Sequence, residues 1–276
     1  MSHARPHLEE HRSWAKGTSK RRRLSSDDLR KRLLDTAVEM LQETGLTVSL
    51  AHLNMEELIR AADVPRSSVY REWETKEAFY LDLMEKMIEP AAKDSAFDEE
   101  TLQVAEAVIE KHQDLLATRE GRRAVLREAV RQAVARNVAA LSTALSYRTF
   151  TALVATLPSL VGADQERILV VLRGIEQQFK GRLAKYYEDL IPQLGLRFKR
   201  GYSGTTLALT GSSVIEGYIS RQSTNPVIVS TPVMMPGLTE EAAEWHIAAV
   251  GFLAVVDGMT EPDPAFGEES ARSSPP

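Results

Sequence analysis

A chain of 276 residues with 43% hydrophobic and 26% charged residues has the composition of an ordinary soluble globular protein, long enough for one large domain or two modest ones. The formal charge of −5 gives no overall sign of a nucleic-acid binder, although such binding needs a local basic surface and not a basic average. The absence of cysteine excludes disulfides, thiolate zinc sites, iron–sulfur clusters and cysteine nucleophiles.

Residues 1–24 are polar, lack periodicity and have no apolar stretch of the kind a secretory signal carries, so they are expected to form a mobile arm. The arm ends in the basic run Lys20, Arg21, Arg22 and Arg23. Ser25, Ser26, Asp27 and Asp28 then give a helix-start signature, followed by Leu29, Leu33, Ala37, Met40 and Leu41 at helical spacing, with Gly45 as the stop. Residues 46–53 form a connector. Asn54 reads as an N-cap with Glu57 at the capping-box position, ahead of the apolar face Leu58, Ile59, Ala61 and Ala62. Asp63 interrupts that face, Pro65 opens a new helix, and Val69, Tyr70 and Trp73 supply its buried side. Thr75 caps a fourth helix with the stripe Phe79, Leu83, Met84, Met87 and Ile88. Pro90 and the polar residues 93–98 mark a domain boundary.

Beyond it, residues 102–118, 122–157 and 164–190 carry 3.6-residue periodicity, the second stretch being long enough to require a break near 142–146. Residues 205–221 and 240–259 are apolar over much of their circumference and are predicted as helices joined by a Pro- and Ser-containing loop, 222–237. The composition of 261–276 predicts a disordered tail. The expected fold is all-α: an arm over 1–24, a helix-turn-helix domain over 25–92, a larger helical domain over 93–260, and the tail. No apolar run is long enough to span a bilayer, so a cytoplasmic protein without a membrane partner is expected.

Two short helices joined by a tight turn and braced by a longer helix form the arrangement that places one helix in the DNA major groove. With Val69 and Trp73 turned inward, Arg66, Ser67, Ser68 and Arg71 face outward and Tyr70 lies at the margin. Short hydroxyls flanked by arginines suit phosphate and base-edge hydrogen bonds. The run NMEELIRAADVPRSSVYREWETKEAFYLDLM, within residues 29–87, resembles the tetracycline-repressor-like (TetR) family of regulators. It supplies Ala62-Asp63-Val64 as the turn, then Tyr70, Trp73 and Thr75-Lys76-Glu77 at matching spacing. The resemblance implies a phosphate contact for Tyr70 and a backbone contact for Lys76 at a helix N-terminus. It also makes Arg66, Ser67 and Arg71 candidate base readers and Asn54 a cap set against a phosphate. Asp63 stands where the family has glycine, Ile59 where it has a small residue, and Pro65 where it has a capping serine. Beside such a domain, Arg21, Arg22 and Arg23 would follow phosphates or enter the minor groove, although alone they read as a solvated tail.

The same resemblance implies that the C-terminal helices build a ligand cavity and a homodimer interface. Val214, Ile215, Tyr218, Ile247, Val250 and Leu253 are the candidate interface residues, the alternative being that both helices belong to the monomer's own core. Tyr147, Phe150, Phe179 and Tyr186, with Tyr187, are candidate cavity residues, each open to the plainer reading of core packing. The expected function is a ligand-responsive, sequence-specific DNA-binding regulator, a repressor released from its operator by a small molecule, with residues 102–118 carrying the signal between domains. The alternative is a helical interaction protein of the same fold that no longer binds specific DNA. An enzyme is not expected: the six histidines are scattered, no phosphate-loop, dinucleotide or nucleophile-elbow motif occurs, and no cofactor or metal is implied.

Overall fold

A computed structural model describes residues 24–44, 53–93 and 99–266. Expectations for the arm with Arg21, Arg22 and Arg23, for Gly45, for most of the connector before Asn54 and for residues 267–276 lie outside them. The described chain is nearly all helix, as the periodicity predicts.

Helix α1 (Ser26–Thr44) starts where Ser25 Oγ accepts the Asp28 amide at 3.1 Å, with Asp27 and Asp28 in its first turn. It buries Leu29, Leu33, Ala37 and Leu41 against α2 (Met55–Ala61), α3 (Arg66–Glu72) and α4 (Lys76–Lys93). Phe79, Leu83 and Met87 of α4 complete this small core. Each such fully buried large apolar side chain contributes about 1.5–3 kcal/mol, which is what holds helices of only seven residues in place.

Helix α5 (Glu99–Lys111) and a 3-10 turn (Gln113–Ala117) lead to α6 (Arg119–Thr143), capped by Thr118 through the Gly121 amide at 3.0 Å. The break expected near 142–146 falls at Ala144, where the chain bends by 72° into α7 (Leu145–Thr156). Ser142 and Thr143 hydroxyls bond back to carbonyls of the last turn, a competition that weakens a helix end. Helix α8 (Gly162–Gln193) is 32 residues long, about 48 Å at 1.5 Å per residue. It is followed by β1 (Leu196–Phe198), α9 (Gly204–Gln222), α10 (Pro226–Ser230), β2 (Val233–Pro236), β3 (Ala242–Trp245), α11 (Ile247–Met259) and β4 (Thr260–Pro262).

Three expectations are corrected here. The segment 222–237 is not a plain loop: it folds into α10 and β2, and β2 pairs antiparallel with β3, Val233 opposite Trp245. The last predicted helix therefore begins at Ile247, not at 240, because Ala242–Trp245 is that hairpin's second strand. Residues 261 and 262 do not belong to a disordered tail, since β4 pairs antiparallel with β1, Leu196 opposite Pro262 and Phe198 opposite Thr260.

Helices α6, α8, α9 and α11 surround a large core that includes Leu207, Ile191, Trp245 and Phe252. Helices α9 and α11 approach closely at two glycines: a Cβ on Gly211 would come within 2.4 Å of the Phe252 ring, and one on Gly251 within 2.8 Å of Val214. This packing corrects part of the interface expectation. Ile215 and Leu253 are buried within the chain's own core, 4% and 5% exposed, which leaves little of either for a partner. Val214, Tyr218, Ile247 and Val250 remain half-buried. Between the small and large cores runs an apolar seam of Leu81 and Ile88 from α4, Leu153 from α7, and Ile168, Leu172 and Ile175 from α8. No single helix among the described residues is long and apolar enough to cross a membrane.

Candidate functional site

The turn between α2 and α3 is built by backbone geometry. Asp63 takes φ +48°, its amide donates to the Arg60 carbonyl at 3.2 Å, and the Val64 amide donates to the Ile59 carbonyl at 3.3 Å. This pair of bonds is the Schellman arrangement, which needs a left-handed residue at that position; Ile59 and Val64, both buried, give it the apolar contact that usually accompanies it. Asn54 caps α2 as predicted, its Oδ1 accepting the amides of Glu56 at 3.0 Å and Glu57 at 3.4 Å. Pro65 occupies the N-cap of α3 and supplies no side-chain acceptor. Thr75 Oγ1 accepts the Ala78 amide at 3.2 Å and so caps α4, whose first residue is the exposed Lys76.

Helix α3 presents two faces. Val69 is buried, and Trp73 ends the helix with its indole packed edge-on to Phe79 at 5.2 Å between ring centres. Arg66, Ser67, Tyr70 and Arg71 are exposed and Ser68 is half-buried, so the structure brings these predicted residues onto one surface with Lys76 exposed nearby in sequence. Glu56, which sequence reasoning did not single out, reaches the same surface: it accepts the Tyr70 hydroxyl at 3.1 Å and pairs with Arg66 at 2.8 Å. The Arg66 guanidinium also lies 5.4 Å from the centre of the Tyr70 ring.

Behind α3 lies a carboxylate that the sequence reading also missed. Asp82 of α4 is 6% exposed and accepts the Trp73 indole N–H at 2.6 Å and Arg167 of α8 at 2.7 Å, with Arg30 of α1 as a third donor. Burial alone would raise the Asp82 carboxyl. The hydrogen bonds from Trp73 and Arg167 and the charges of Arg30 and Arg167 outweigh it and hold the group below its ordinary value. Arg30 further donates to Glu72 at 3.0 Å and lies over the Trp73 ring, while Arg167 also holds Glu85. One buried group thus fastens together the end of α3, the first helix and the long helix α8. An acid beside the stripe of Phe79 and Leu83 was the visible signal; its partners are 52 and 85 residues away along the chain.

A cavity of about 390 Å³ opens between α6, α7, α8 and α9. Tyr147, Phe150 and Phe179 line it, as expected. Tyr186 does not: it stands two turns beyond Phe179 along α8, in a smaller, almost wholly apolar pocket shared with α5 and α6, where its hydroxyl is buried without a partner. Tyr187 lines both. Burial, followed by the charge of Glu216, pushes the Tyr147 phenol up to about 12, so it stays a neutral donor at any physiological pH. Phe150 and Ile175 belong to the cavity wall and also pack in the seam against α4, so the cavity reaches α4 through direct contact. The expectation that residues 102–118 connect the domains is not what the packing favours: α5 packs chiefly on α6, and α7 and α8 are the helices that meet α4.

No family model matches the chain, and no curated protein matches it. Among solved structures it is similar to a crystal structure of E. coli NemR in its reduced form, at 16% sequence identity over 85% of this chain and 99% of that one, with a TM-score of 0.44.

Proposed function

We propose that the chain is a ligand-responsive, sequence-specific DNA-binding regulator of the tetracycline-repressor-like kind, acting in the cytoplasm as a homodimer and as a repressor. The observation that carries this reading is the two-faced α3: Val69 and Trp73 anchor it behind a left-handed turn, while Arg66, Ser67, Tyr70 and Arg71 stand exposed. A short helix held this way fits a major groove, and its outward residues are of the kinds that contact phosphates and base edges. The sequence resemblance over residues 29–87 supports the same reading.

In this reading the cavity is an effector site, with no reaction assigned to it. A ligand preferring one arrangement of α7 and α8 shifts α4 through Phe150, Ile175 and the Asp82 node, and with α4 the spacing of two recognition helices in a dimer. Footprinting on DNA flanking the protein's own gene, at low and physiological salt, tests the function. A two-fold symmetric protected site is expected, weakened at least roughly tenfold by Arg66→Ala or Tyr70→Phe. Binding that vanishes with salt and ignores both substitutions, in random-sequence selection as well, would sink it.

One observation favours a second reading, a helical interaction protein without specific DNA binding. Glu56 occupies the two groups, on Arg66 and Tyr70, that DNA would have to claim. The readings separate on Glu56→Gln: a regulator gains DNA affinity when this competing charge is lost, whereas an interaction protein acquires no operator.

A further inference from the structure

The cavity holds two features that the regulator reading does not use. Asn137 of α6 is only 2% exposed, stands in the wall between the cavity and the smaller apolar pocket and lines both, and its Nδ2 has no hydrogen-bond partner. Burying an amide donor unpaired carries the full desolvation cost of the group, and native interiors rarely leave one so. A group of this kind in a cavity wall is accounted for when a bound molecule brings an acceptor to it.

The second feature is charge. Glu176 of α8 and Glu216 of α9 both line the cavity, with Lys180 as its lone basic side chain. Lys180 is engaged by Glu176 at 3.1 Å, one turn away on α8. Glu216 has no basic partner among the described residues and stands at the exposed rim. Partial withdrawal from water and the neighbouring Glu176 charge raise its carboxyl above the ordinary value, as expected of an acid lacking a counter-ion. The deeper walls are aromatic and aliphatic: Phe150, Phe179, Leu183, Tyr187, Ile215 and Phe252. Ring faces are electron-rich and attract cations, so the aromatic lining and the unpaired carboxylate favour the same ligand charge.

We propose that the effector is an organic cation with an apolar or aromatic body and a hydrogen-bond acceptor, its cationic head at Glu216 and its acceptor at Asn137 Nδ2. This deepens, and rests on, the reading of the cavity as the effector site. An anion would meet an unpaired carboxylate and find the lysine already engaged; a neutral molecule would leave Glu216 uncompensated.

Titration calorimetry on the full chain tests the proposal with benzoylcholine, which combines a quaternary ammonium, an ester carbonyl and a phenyl ring. Its uncharged isostere 3,3-dimethylbutyl benzoate and the anion benzoylglycine serve as comparators. Saturable benzoylcholine binding is expected below about 1 mM, with each comparator at least roughly tenfold weaker. Glu216→Gln should weaken benzoylcholine by roughly tenfold and leave the uncharged ester unchanged. Asn137→Leu should weaken both esters while raising the thermal midpoint of the ligand-free protein, because it removes a buried unpaired donor; that rise separates lost binding from lost folding. No saturable binding of benzoylcholine, equal or tighter binding of either comparator, or indifference to Glu216→Gln would overturn the ligand class. Binding is read without DNA, so the two readings fail separately. Glu216-dependent binding with unchanged operator affinity keeps the ligand class and sinks the reading of the cavity as the effector site, whereas operator release by the uncharged ester alone does the reverse.

Discussion

At Asp63 the family resemblance calls for glycine, and the backbone shows why: φ is +48°, in the region where a Cβ crowds the following carbonyl. Aspartate is among the few residues that visit it without prohibitive strain, so the turn forms and its two Schellman bonds survive. Asp63→Gly should therefore stabilise the protein, by about 0.5 kcal/mol once glycine's greater freedom in the unfolded chain is offset, as read by chemical denaturation. A loss of stability would mean that side-chain contacts of Asp63, such as that with Arg32 at 3.9 Å, outweigh the relief of strain. The same scale separates what could be read of the outward face of α3. Arg66 and Arg71 were legible because helical spacing turns them away from the buried Val69 and Trp73, whereas Tyr70, expected on the buried side or at its margin, is exposed, its hydroxyl held outward by Glu56. Glu56 was not legible, since it reaches Tyr70 from 14 residues away across the turn.

Among the elements, α11 shows where local preference gives way. Residues 240–246 have the composition of a helix start, yet Ala242–Trp245 pairs with β2, and burial of Trp245 in the large core fixes that register. Tertiary pairing of this kind routinely overrides weak intrinsic preference. The helix then begins at His246, whose Nδ1 accepts the Ala248 amide at 3.1 Å, a cap that requires the neutral imidazole. Burial lowers the His246 pKa from its ordinary 6.5. The unfolded chain thus binds the extra proton more readily, so the contribution is full above about 6.5 and is lost as pH falls through the folded value. The thermal midpoint should drop between pH 7.5 and 5.5 by an amount equivalent to about 1 kcal/mol or less. His246→Asn, which keeps a capping oxygen but cannot titrate, should flatten this part of the profile. An unchanged pH dependence in that variant would remove His246 from the account.

Across the whole molecule the two cores meet at an apolar seam with one buried carboxylate beside it. Asp82→Asn keeps the volume, but it withdraws the negative charge from Arg30 and Arg167 and leaves the Trp73 indole with a weaker acceptor. The expected cost is about 2 kcal/mol, discounted because both arginines keep part of their hydration. In the regulator reading, DNA affinity and the response to effector should also uncouple. A variant that loses stability while retaining full effector response would show that the node is structural only. Because the Asp82 carboxyl is held below its ordinary 3.8, its contribution is complete above that value and disappears only as pH falls below it, so neutral conditions leave the node intact.

The sequence by itself determined the helices from α1 to α9, the turn at Asp63, the caps at Asn54 and Thr75, and the break near Ala144. All of these are set within a few residues by backbone hydrogen bonding and by the spacing of apolar side chains. Tertiary structure alone decided the meeting of Arg30, Trp73, Asp82 and Arg167, the convergence of Asn137 and Glu216 on one cavity, and the place of Tyr186 outside it. These groups come from separate helices, and which faces of those helices meet is settled by the packing of the cores between them, which a local pattern does not encode.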